Sequence, residues 1–84
     1  MLDTVYAKLT DSYACTFDNE SIKINVGLGY VLTITYKVHN GCNIFTIISN
    51  DGSRHVNIIC PIDENGYSDI VPLYRFIDDF SNLL

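Results

Sequence analysis

Two dipeptides, Asn40-Gly41 and Asp51-Gly52, constrain this chain more than anything else in it. A two-residue type I′ loop needs positive φ at both central positions, and Asn-Gly and Asp-Gly adopt it most readily. A hairpin centred on Asn40-Gly41 pairs residues whose numbers sum to 81: Ile34 with Ile47, Tyr36 with Phe45, Val38 with Asn43. A second hairpin centred on Asp51-Gly52 pairs residues summing to 103: Ile47 with Val56, Phe45 with Ile58, Asn43 with Cys60. The two centres are independent, yet Ile34, Tyr36, Phe45, Ile47, Val56 and Ile58 all fall on one face. A one-residue slip in either hairpin would turn a strand's apolar set to the opposite side. The agreement therefore specifies the register.

The same face extends toward the N-terminus. Ile22, Ile24 and Val26 alternate with Ser21, Lys23 and Asn25, the pattern of a half-buried strand. A three-residue loop Gly27-Leu28-Gly29 pairs Val26 with Tyr30, Ile24 with Leu32 and Ile22 with Ile34, with Gly29 in a left-handed bulge position. A turn at Asn19-Glu20 pairs Phe17 with Ile22 and Cys15 with Ile24. The expected sheet is a five-stranded antiparallel meander, with strands near 12–17, 21–26, 30–39, 42–49 and 53–60. Leu2, Val5, Tyr6 and Leu9 have helical spacing and predict a short N-terminal helix. Leu73, Phe76, Ile77, Phe80 and Leu84 predict an amphipathic C-terminal helix over about 69–83. Ser68 or Asp69 can cap it, and Pro72 is tolerated in its first turn. The fold class is α+β, with residues 1–84 forming one domain.

Length and charge narrow the function classes. The chain has 84 residues, 48% of them apolar, and a formal net charge of −5. That composition suits a small folded domain rather than a disordered chain. No apolar run reaches the ~18 residues of a membrane span. Met1-Leu2-Asp3-Thr4 lacks the basic start of a secretory signal. A cytoplasmic protein with no membrane contact is expected, in a host's cytoplasm if a phage encodes it. Cys15, Cys42 and Cys60 make an odd set, which argues for reduced thiols. Acids concentrate at the two ends of the chain, while residues 21–60 carry Lys23, Lys37 and Arg54 against Asp51 alone. Phosphate binding runs on Lys and Arg, so no direct nucleic-acid contact is expected.

The motifs that could carry chemistry fall short. His39 and Cys42 face each other beside the tight turn, but a zinc site needs two more ligands. His55 lies two strands away, and Cys60 belongs to the other face. As a nucleophile, Cys42 would lack an orienting carboxylate behind His39. Gly27-Leu28-Gly29 reads as a hairpin loop rather than a phosphate cradle, and Asp63-Glu64-Asn65-Gly66 lacks the spacing of a calcium loop. Neither catalysis nor a cofactor is expected.

Binding remains. The register places Val31, Ile44, Ile48 and Ile59 on the outer sheet face, rimmed by Lys37, His55 and Arg54. Such residues also suit exposed strands for their β-propensity alone. As an interface, they would serve a structural or adaptor subunit that self-associates or docks through this face, a homodimer included. The leading expectation is a small acidic inhibitor that occludes a larger protein. Its sharper form, an analogy of size and charge, is a phage or mobile-element product of the anti-CRISPR type. Asp63, Glu64, Asp69, Asp78 and Asp79 would then imitate phosphates against the basic groove of a nucleic-acid-handling enzyme.

Overall fold

A computed structural model describes all of residues 1–84. In chain order the elements are helix α1 (Leu2–Leu9), strands β1 (Ala14–Phe17), β2 (Ser21–Gly27), β3 (Tyr30–His39), β4 (Cys42–Ser49) and β5 (His55–Pro61), and helix α2 (Val71–Leu83). The five strands form one antiparallel sheet in the order β1-β2-β3-β4-β5, the expected meander. No helix is long and apolar enough to cross a membrane.

The registers follow the two turns. Ile34 pairs with Ile47 and Tyr36 with Phe45, and on the far side Phe45 pairs with Ile58. Asn40 and Gly41 have φ of 49° and 72°, which makes this loop type I′. The Asp51-Gly52 loop is built differently. Only Gly52 has positive φ there, and β5 begins at His55 rather than near residue 53. Ser49 O accepts the Gly52 N–H at 3.0 Å, and Ser49 N donates to Arg54 O at 3.0 Å. The loop is thus four residues long and wraps around the Asp51 carboxylate. Asp51 Oδ1 accepts the Ser49 hydroxyl at 2.7 Å, the Ser53 hydroxyl at 2.7 Å and the Ser53 N–H at 2.9 Å. The wider loop keeps the same pairing sum, so the predicted face survives.

Three further boundaries differ from expectation, the first being β1, which begins at Ala14 rather than near residue 12. The β2–β3 connection closes on Leu28-Gly29, with Gly27 opposite Tyr30 and Val26 absorbed as a bulge. Val26 still reaches the core, 6% exposed. Helix α2 starts at Val71 because the Asp69 carboxylate holds the chain in a turn, accepting the Val71 N–H at 3.0 Å.

Both helices lie on the same side of the sheet. Leu2, Val5 and Leu9 of α1 and Leu73, Ile77 and Phe80 of α2 join Ile22, Ile24, Leu32, Ile34, Phe45 and Ile47 in one buried cluster. Their helical spacing gathers each set on one stripe, and the period-2 strands present a matching face. The opposite sheet face has no covering layer.

The three serine and backbone hydrogen bonds hold the Asp51 carboxyl far below its ordinary 3.8, at about 2. A carboxyl lowered in the folded state stabilises above its unfolded value, and that contribution disappears as pH falls through the folded value. Asp51→Ala is therefore expected to lower the melting temperature at neutral pH. The gap to the parent should close as pH drops from about 4 toward about 2. Thermal melts across that range check it, and a gap independent of pH would contradict it.

Candidate functional site

The uncovered face is assembled by the pleat. Three cross-strand rows run over it: Lys37–Ile44–Ile59, Thr35–Thr46–Asn57 and Thr33–Ile48–His55. Val31 stands at the corner, opposite Asn25. Ile59 is 59% exposed and Ile48 42%, while Val31 and Ile44 are half-buried by their neighbours. The polar middle row separates Ile48 from the Ile44–Ile59 pair, and in it Thr46 Oγ1 donates to Asn57 Oδ1 at 2.8 Å. The face is thus a set of apolar side chains interleaved with threonines rather than an unbroken patch.

Its charge is one-sided. Alternation puts Lys23, Lys37, His39 and His55 on this face, and no strand position on it carries a carboxylate. Every acid of the chain lies instead in a turn, in a connecting segment or on a helix. A protein of net charge −5 thereby presents one acid-free surface. Lys23 and His39 belong to this surface as much as Lys37 and His55 do. The strand parity that selected the isoleucines applies to them equally.

The top of the face is pinned by Asn50. Its side-chain Nδ2 donates to Gly29 O at 3.0 Å, and its Oδ1 accepts the Val31 N–H at 3.1 Å. Its own N–H donates to Val31 O at 2.9 Å. One amide side chain therefore ties the β2–β3 loop to the β4–β5 loop and fixes the Val31 corner.

The five acidic candidates divide by what their oxygens do. Asp63 Oδ1 accepts the N–H groups of Asn65 and Tyr67, both at 2.9 Å, and so shapes the turn after β5. Asp69 shapes the entry to α2, as described above. Asp78 Oδ1 accepts the Tyr13 hydroxyl at 2.6 Å, joining α2 to the segment before β1. Burial and the Asp78 charge push that phenol above its ordinary value. Glu64 and Asp79 are exposed and make no hydrogen bond through their carboxylates. Asp63, Asp69 and Asp78 thus have structural work that their sequence position partly announced. An Asp two residues ahead of a backbone N–H at a turn is the Asx-turn pattern, and Asp18 and Asp51 repeat it.

The remaining chemistry-bearing groups stay apart. Cys60 is buried and Cys15 half-buried on the core side, and burial raises both thiols, with the Asp69 charge adding to the effect at Cys60. Cys42 pairs with His39 across the Asn40-Gly41 turn, and its thiol points back toward the Asn40 carbonyl at 3.7 Å. No group of three His, Cys, Asp or Glu side chains comes together in a form that could hold a metal ion. The largest concavity, about 800 Å³, opens on the helix side between Met1, Asp3, Phe17, Glu20 and Tyr36. Its Asp3 carboxylate is taken up by the N-terminal ammonium at 3.1 Å. No family model matches this chain, and no curated protein or solved structure matches it either.

Proposed function

We propose that this chain is a protein-binding module that docks through the open face of its sheet, as a structural or adaptor subunit does. The observation that carries the reading is the placement of both helices on one side of the sheet. It leaves Ile44, Ile48 and Ile59 facing solvent on a surface free of carboxylates. Apolar side chains with a basic rim fit a partner surface that is apolar at its centre and acidic at its margin.

The acidic-inhibitor reading keeps a narrower basis. Glu64 and Asp79 are the candidates whose carboxylates are free to meet a basic groove, because Asp63, Asp69 and Asp78 already bond within the protein. A photoreactive side chain placed in turn at Ile48, Glu64 and Asp79, in the native cell, separates the two. The expected result is a discrete protein adduct from position 48 and none from 64 or 79. Adducts confined to positions 64 and 79 would overturn the sheet-face reading in favour of acidic mimicry.

A further inference from the structure

Strand β5 ends the sheet with its outer edge open, and the direction of its backbone groups is fixed by two hydrogen bonds. Arg54 O accepts from Ser49 N at 3.0 Å, and Ile62 N donates to Gly41 O at 2.9 Å. Residues 54, 56, 58, 60 and 62 therefore turn their backbone groups toward β4. In an antiparallel ladder the alternate residues turn theirs the other way. The N–H and C=O groups of His55, Asn57 and Ile59 thus point to solvent without a partner. Pro61, at the next outward position, has no N–H and closes the row. Beyond it the chain folds back on itself through an Ile62–Ser68 bridge.

Edge strands are normally blunted by lysines, prolines, inward charges, bulges, brevity or a covering loop. Strand β5 has none of these between His55 and Cys60; its proline and the folded-back segment come only at its end. The other edge is managed. Strand β1 is four residues long, lies beside α1, and is followed by Asp18 and Glu20.

We infer that β5 pairs antiparallel with β5 of a second copy of this chain, about a two-fold axis at Asn57, joining the two sheets into one. This goes beyond the sheet-face reading, although Ile59 and His55 belong to both surfaces. The register follows from the free groups. His55 lies opposite Ile59 of the second copy, Asn57 opposite Asn57, and Ile59 opposite His55, so every outward donor and acceptor is used. A shift of two residues one way brings in Pro61, which cannot donate. A shift the other way sets Ile59 against Ser53, which lies in the turn.

Side chains and charge agree with that register. On the helix side it sets Val56 against Ile58 of the second copy, and both are only half-buried in the single chain. On the open side it continues the row Ile44–Ile59 into His55–Ile48 of the second copy. It also runs Arg54 of each copy toward the end of β5 in the other, where Asp63, Glu64 and Asp69 follow. Arg54 therefore meets acids at both ends of the pairing, beside the Asp51 carboxylate that its own turn engages, and no like pair faces across residues 55–59. Three residue pairs form a small contact, so the dimer is concentration-dependent.

Sedimentation velocity on the full chain, from low micromolar to near-millimolar protein, is expected to show a shift from one to two copies. Amide exchange at His55, Asn57 and Ile59 should slow with the same concentration dependence, while Val56 and Ile58 are protected throughout. Asn57→Ala, which keeps the N–H, is expected to dimerise. Asn57→Pro, which removes an N–H that the single chain does not use, is expected to remain monomeric with an unchanged circular dichroism spectrum. A monomer at every concentration, or fast exchange at those amides in the dimer, overturns the inference, and the exchange result stands even if Asn57→Pro misfolds. Ile48→Lys separates this from the parent reading. A dimer broken by Ile48→Lys but not by Asn57→Pro means that open faces stack, which overturns the edge pairing and leaves the sheet-face reading standing. Edge pairing without any adduct from position 48 supports the inference and removes that reading.

Discussion

Phe45→Ala is expected to destabilise the protein by about 3–5 kcal/mol, the usual cost of emptying a buried phenylalanine site. Phe45 is fully buried and is the largest such side chain in the molecule. Its ring lies on the core face of β4, between Tyr36 and Ile58 on the adjacent strands, with the Tyr36 ring centroid 5.2 Å away. The strands on both sides are hydrogen-bonded to β4, so they cannot close over the void without giving up ladder bonds. The loss therefore includes the unfilled volume as well as the lost transfer of the ring. Domains of this size have a total stability of order 5–10 kcal/mol, and the variant should be near half unfolded in mild denaturant. Urea titration followed by circular dichroism measures it, and a loss below about 1 kcal/mol would show that the sheet repacks freely.

Tyr36→Phe is expected to cost about 1–3 kcal/mol despite removing a single oxygen. The Tyr36 hydroxyl donates to Asn43 Oδ1 at 2.6 Å, and Asn43 is 4% exposed. No fully buried side-chain nitrogen or oxygen in the parent protein lacks a partner. Deleting the hydroxyl strands the Asn43 oxygen at a position water barely reaches, and the cost is the uncompensated desolvation of that oxygen. Adding Asn43→Leu removes the stranded group, so the double variant should recover part of the loss. The double-mutant cycle in urea reads the coupling directly. A coupling within the ~0.3–0.5 kcal/mol seen for independent sites would show that the bond contributes nothing.

The sheet was legible because strand periodicity is unforgiving. Once Asn40-Gly41 set one register, the apolar alternation left no second solution for β3, β4 and β5, and the observed pairs are the expected ones. What escaped was local side-chain chemistry. Asp51 widens its turn because its carboxylate organises Ser49 and Ser53, which a rule built on φ preferences does not register. Asp63 read as free surface charge, yet it holds two backbone N–H groups in a turn, and Asp69, expected as a possible cap, holds the Val71 N–H. Periodicity also showed which stripe of each helix is apolar but not which side of the sheet receives it, because isoleucines occupy both faces. That last point decides the candidate surface, since Ile48 and Ile59 are accessible only because both helices chose the other side.

The meander order has a kinetic consequence. Each strand pairs only with its neighbours in the chain, so every hairpin closes a short loop and loses little chain entropy in doing so. Local pairing of this kind places a β-rich domain toward the fast end of its class. The contacts that span the chain are those of α2, in which Tyr13 meets Asp78 and Ser81 bonds the Val26 carbonyl at 3.2 Å. During synthesis α2 emerges after all five strands. A chain growing from its N-terminus has only α1 to cover the inner face of its strands until α2 arrives to cover the rest.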